Sequence, residues 1–219
     1  MKKTRKTTNA KRATSAAGKR SALKRKPKVL PVVTLGHPSL RRKARRLSIK
    51  EIGSAKMQEF IDNLIHTCET MKGVGIAATQ AGVGISIFIM ASKPSERYPK
   101  APHMKPAAFI NPKLIAVSGV TKKDWEGCLS LRGLRALVPR HTRVKVSYAD
   151  REGRKHIGEF EDFLARVFQH EHDHLNGLMF IDRVTSTKDF MAEDAWLTMM
   201  NAKLAKRNMK TRKKAAKKK

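Results

Sequence analysis

The chain has 219 residues, 40% of them hydrophobic, which is enough for one domain with a sizeable core. Its 48 Lys and Arg against 18 Asp and Glu give a formal net charge of +30, concentrated at the ends: residues 1–28 hold 12 of the basic residues, residues 203–219 hold 10, and neither segment has an acidic one. Two cysteines exclude a disulfide framework, and no apolar run approaches the ~20 residues of a membrane span, so a soluble protein of a reducing compartment is expected, with no membrane partner.

Residues 1–29 carry Lys, Arg, Thr, Ser and Ala with almost nothing to bury, the composition of a disordered basic tail. No apolar run follows the basic start, so the segment does not read as a signal peptide. An organellar transit segment shares its poverty in acids, but Lys predominates and the other terminus has the same bias, which favours a cytoplasmic protein.

From Ser54 to Lys72, Met57, Phe60, Ile61, Leu64, Ile65, Cys68 and Met71 recur at three- and four-residue steps, the stripe of an amphipathic helix capped by Ser54 and ended by Gly73. Cys68 lies on that stripe and reads as core. A glycine-spaced loop follows, without the G-x-G-x-x-G order of a nucleotide site, and leads into an apolar run from Ile85 to Ala91 that reads as a buried strand. Residues 92–106 read as a surface loop, and residues 107–119 as short strands broken at Pro112. Val144, Val146 and Tyr148 alternate before a DREG turn and RKHIGEFE, a hairpin with one solvated side. A helix is expected over about 161–176. Phe163, Leu164, Val167 and Phe168 make it apolar around much of its girth, so it should be central and buried. A last helix from about Lys188 runs into the lysine tail. The pattern predicts an α+β fold: antiparallel strands packed around a buried central helix, with one helix N-terminal and one C-terminal to them.

The central helix carries QHEHDHL. His170 and His174, four residues apart, share one helix face, while His172 points away. Together with Glu171 they make H-E-x-x-H, in which two imidazoles bind a metal ion and the glutamate handles its water. A third ligand is needed. The metzincin extension requires His at 180, where the chain has Phe180. A carboxylate from a later helix, Glu193 or Asp194, would make a different HExxH peptidase. Cys128 in WEGCLS offers a thiolate, a strong ligand for zinc or iron(II).

Three strings, GVGIAATQ (73–80), EGCLS (126–130) and QHEHDHL (169–175), occur in this order, and together they resemble the signatures of the peptide deformylase family; GHPSLRRKAR, INPKL and RALVPR are similar as well. The resemblance covers about residues 30–190. It implies a catalytic domain over residues 30–202, between the tail at 1–29 and a basic C-terminal tail at 203–219, that removes the formyl group from formylmethionyl nascent peptides. It implies Cys128, His170 and His174 as ligands of one divalent ion, Fe2+ first and Zn2+, Ni2+ or Co2+ as substitutes. Glu171 becomes the general acid and base, and Gln80 with the backbone N–H of Leu129 polarises the formyl oxygen. Val74, Gly75 and Gly127 line the substrate groove, and Arg135, Phe163 and Val167 help to build the methionine pocket. Asp173 is a candidate supporting carboxylate, with Arg140 as its partner. A monomer is expected, with the tails reaching ribosomal RNA. A ribosome-associated protein without catalytic activity is the third reading.

Overall fold

The computed structural model describes residues 26–95 and 97–216. The disorder expected over 1–29 falls mostly outside them. From Lys28 the chain is tied down: the Lys28 N–H donates to Asn63 Oδ1 (2.7 Å) and the Leu30 N–H to Thr67 Oγ1 (2.8 Å).

Among the described residues, two antiparallel sheets and four α-helices make up the fold. The strands are β1 (Gly75–Ala77), β2 (Ile87–Ser92), β3 (Met104–Val117), β4 (Thr121–Cys128), β5 (Leu131–His141), β6 (Arg143–Ala149), β7 (Lys155–Glu161) and β8 (Phe190–Ala192). The helices are α1 (Ile49–Ile52), α2 (Ala55–Thr70), α3 (Asp162–Leu175) and α4 (Glu193–Ala216). One sheet has the order β1-β2-β3-β6-β7, the other β4-β5-β8. This is the α+β arrangement expected.

The apolar run ending at Ala91 is explained by burial on both faces of β2. Ile87 and Ile89 pack with Ile61, Leu64 and Cys68 of α2, while Phe88 and Met90 face Ala165, Val167 and Phe168 of α3. Successive side chains of a strand point to opposite faces, so a sheet covered on both sides needs an unbroken apolar sequence. Helix α3 is thereby held against the larger sheet, with Phe168 meeting Phe88 and Phe109 edge to face. Ser54 caps α2 through its side chain, as its position suggested.

Pro112 does not break the strand, contrary to the sequence reading. β3 runs through it from Met104, taking up the end of the supposed loop at 92–106. The pairing with β6 shifts between Ile110 and Lys113, and Asn111 takes φ +51°. Such a bulge lets a proline sit in a sheet without leaving a ladder acceptor unpaired. Asn111 secures it with a pair of hydrogen bonds to the Leu47 backbone (2.8 and 2.7 Å). The C-terminal helix also begins later than Lys188, at Glu193, because Phe190–Ala192 first pair with β5 as β8.

Candidate active site

The hairpin β4–β5 brings EGCLS against the inner face of α3. Cys128 Sγ lies 3.3 Å from His174 Nε2, and the donor atoms of Cys128, His170 and His174 all fall within 4.8 Å of one another. One ion bound to a sulfur at ~2.3 Å and a nitrogen at ~2.0 Å in tetrahedral geometry separates those two atoms by ~3.5 Å, so the cluster is already spaced for one. A thiolate and two imidazoles with room for a water is the donor set of an open, catalytic site. The residues present fit a divalent metal ion.

His170 has its free nitrogen defined by a neighbour. Its Nδ1 lies 2.9 Å from Glu126 Oε2. A carboxylate can only accept there, so Nδ1 carries a proton, and Nε2, which faces the Cys128 sulfur, is the nitrogen that would give up its proton to bind a metal. Glu126 is itself fixed by the Arg140 guanidinium through two bonds (2.9 and 3.0 Å) and by Arg166 Nη1 (2.8 Å). Arg140 then reaches Asp173 Oδ2 (2.5 Å), the pairing anticipated from sequence, and Arg183 holds the other side of Asp173. This buried network runs from the hairpin to α3 and anchors both sources of ligands. Burial would raise the Glu126 carboxyl, but the charge on Arg140 and the hydrogen bond from His170 outweigh it and hold the group ionised. Burial also favours a neutral Cys128, yet the charge on His174 and hydrogen bonds from His170 and His174 bring the thiol down to about 5.

Glu171 is buried, and its Oε2 has no partner among the described residues. Burial raises its carboxyl to about 7, the two histidines offsetting part of the effect. A carboxyl poised near neutrality can both take and give a proton. It packs so closely on Gly75 that a Cβ there would lie 2.3 Å from Glu171 Oε1, which only glycine avoids. Gln80 sits in a tight turn: its Oε1 accepts from the Ala77 N–H (2.8 Å), which points Nε2 at Cys128 Sγ (3.3 Å) and Ser130 Oγ (3.2 Å).

A cleft of about 340 Å³ opens on these groups. Its walls include Val74, Gly75, Gln80, Gly127, Cys128, Leu129, Arg135, Phe163, Val167, His170 and Glu171, so the sequence-derived site residues other than His174 share one cavity. β1 is the edge strand of the larger sheet, and beside this cleft it has a free side for an added strand.

Other residues are placed elsewhere. His172 faces away and stacks on Phe168. Glu193 and Asp194 do not join the histidines: Glu193 binds Arg135 (2.5 Å), and Asp194 accepts from the Ala195 N–H at the start of α4. The peptidase alternative thus loses its third ligand. Sequence reasoning passed over Glu126, although it stands two residues before Cys128 and so emerges from the same strand end. It also missed Arg166 and Ser130, whose types carry no signal until the hairpin meets the helix.

The Polypeptide deformylase family model matches residues 29–190. Among curated proteins the chain is similar to "Peptide deformylase 2" of Nostoc sp., 46% identical over 170 residues covering 78% of this chain and 94% of that one. "Peptide deformylase 1" of Nitrosomonas europaea is 36% identical over 162 residues, covering 74% and 91%. Among solved structures, a class I type b peptide deformylase from Acinetobacter baumannii bound to Met-Ala-Ser superposes with TM-score 0.70 at 38% identity, covering 71% of this chain and 98% of that one. The enzyme from Thermotoga maritima gives 0.64 at 32%, covering 72% and 99%. With a family match spanning most of its length and relatives covered almost end to end, the chain belongs to the peptide deformylase family, the metallohydrolases that remove the N-terminal formyl group from nascent polypeptides.

Proposed function

We propose that Cys128, His170 and His174 hold one iron(II) ion and that the cleft beside them hydrolyses the formyl amide of formylmethionyl peptides. The observation that carries this reading is the convergence of a thiol, two imidazoles and a buried, unpartnered carboxyl on one cleft that adjoins a sheet edge. A divalent ion in such a set lowers the pKa of a water ligand toward ~7 and supplies a hydroxide-like nucleophile at neutral pH.

The chain's own groups do the rest. The peptide backbone lies along Val74 and Gly75 as an added strand, opposite Gly127, with the methionine side chain between Phe163, Val167 and Arg135. Gln80 Nε2 turns from the sulfur to the formyl oxygen and, with the Leu129 N–H, stabilises the oxyanion that forms when the carbonyl is attacked. Glu171 takes the proton of the attacking water and delivers it to the departing amine, so that formyl peptide and water become formate and a free amino terminus. Iron(II) suits a site softened by one thiolate, and air should inactivate that form while zinc, nickel or cobalt forms last longer.

The enzyme works as a monomer in the cytoplasm, where new chains emerge, and its basic ends reach ribosomal RNA. Among the described residues no helix is long and apolar enough to cross a membrane. The test is formate release from formyl-Met-Ala-Ser by protein purified without oxygen, with its metal measured. Wild type should turn over with about one iron per chain. Glu171→Ala should keep the metal and lose ~10²- to 10⁴-fold in rate; full turnover by that variant would refute the assigned role.

A further inference from the structure

Arg135 stands in the cleft wall, 3% exposed, with its guanidinium laid across Gly127; a Cβ on that glycine would come within 2.5 Å of Arg135 Nη1. Nη1 donates to the Tyr98 hydroxyl (3.2 Å), Nη2 to Glu193 Oε1 (2.5 Å), and Cζ lies 4.5 Å over the ring of buried Trp196. Arg135 Nε is buried without a partner among the described residues. Glu193 Oε2 accepts from the Gly133 N–H at 3.3 Å, so the carboxylate bridges β5 to the first turn of α4. It is the carboxylate on which the guanidinium depends. A buried cation that loses its partner moves to find water or another anion, and the free space nearest to Arg135 is the cleft. The cleft already carries Lys72, Arg97 and Arg132, none in an ion pair among the described residues. Its other two carboxylates are committed: Glu126 to its arginines and His170, and Glu171 to the chemistry.

We infer that Glu193 is a specificity-determining positioning residue of the deformylase cleft: with Trp196 it holds Arg135 against Gly127 and cancels its charge, so that residues following the formylmethionine bind with little bias from that guanidinium. The inference rests on the deformylase reading of the cleft. It gives the C-terminal helix a part in substrate selection, separate from anything its basic end does.

The experiment compares formyl-Met-Ala-Glu with formyl-Met-Ala-Lys on the metal-loaded full chain, as wild type, Glu193→Gln, Glu193→Asp and Trp196→Phe. Glu193 is partly exposed and starts a helix, so its two substitutions spare the core, whereas Trp196 is buried and its replacement by Phe keeps an aromatic ring in place. Glu193→Gln should raise KM for the Lys peptide ~10-fold while kcat stays within ~2-fold, and should shift the Glu-to-Lys ratio of kcat/KM ~10-fold toward Glu. Glu193→Asp should recover most of the wild-type ratio, and Trp196→Phe, which keeps the aromatic face, should leave it near wild type. An unchanged ratio in Glu193→Gln, or an equal fall in kcat for both peptides, overturns the inference. Calorimetric binding of the products Met-Ala-Glu and Met-Ala-Lys runs alongside. A wild type without turnover would sink the enzymatic reading, yet a shift in product affinity between wild type and Glu193→Gln, or its absence, still decides the role of Glu193.

Discussion

The two cysteines lie in regions that share a residue type and little else. Cys68 is on the inner stripe of α2, fully buried among Ile61, Leu64 and Ile76, and burial pushes its thiol well above the ordinary range, with Glu171 and Glu69 adding to the effect. Cys128 is at the turn of the β4–β5 hairpin, beside His174 and within reach of N–H donors from Gln80 and Ser130 (3.3 and 3.4 Å). One sulfur lies in an apolar cluster, with only negative charges acting on it, and is held neutral. The other has charge and hydrogen bonds enough to outweigh its own burial. Reactivity is therefore a property of the surroundings, and the arginine–carboxylate network behind α3 builds them.

The hardest test of that contrast removes each sulfur. Cys128→Ala should lose bound metal and ~10³-fold or more of its turnover, because two imidazoles alone leave the ion under-coordinated. Cys68→Ala should keep both and cost only roughly 1–2 kcal/mol of stability from the small cavity. Metal analysis, formate assay and denaturant melts decide it; equal metal loss in the two variants would erase the distinction.

A subtler change leaves all three ligands in place and disturbs what aligns them. Glu126→Gln keeps the shape but removes the charge that orients His170 and neutralises Arg140 and Arg166. Metal affinity or turnover should fall ~10- to 100-fold. Competition with a chelator measures the affinity, and a circular dichroism spectrum like wild type confirms that the fold is kept. Wild-type affinity in this variant would show that the network supports the fold and not the site.

The smallest effect is a pH profile. In metal-free protein, Cys128 exists as thiolate above about 5, so its alkylation by iodoacetamide should rise as pH increases through 5 and level off between about 6 and 8. Cys68 should stay unmodified over the whole range until the protein unfolds. Peptide mapping by mass spectrometry reads both sites in one sample, and a Cys128 rate still climbing steeply between pH 7 and 9 would mean that its neighbours do not lower the thiol.

Local chemistry in the sequence was sufficient for the helix at 55–70, the H-E-x-x-H face and the apolar strand through Ile89, because helical and strand periodicities are read from consecutive residues. The three signature strings also named Cys128, His170, Glu171, His174 and Gln80 before any of them shared a site. Pro112 misled, since a proline that ends most strands is harmless at a bulge, and the bulge depends on Leu47, 64 residues before Asn111. Glu193 misled in another way: a carboxylate downstream of two histidines has the composition of a ligand, and only the pairing of β8 with β5 turns it to Arg135 instead. The hairpin at 121–141 likewise went unread, because its alternation is blurred by basic residues whose partners come from the facing strand, as Glu126 does, or from other segments, as Asp173 and Glu193 do. Sequence determines which groups are available and which neighbours along the chain share a face; contacts between segments far apart decide which charges meet, because a carboxylate does not reveal its cation until the backbone has closed the distance.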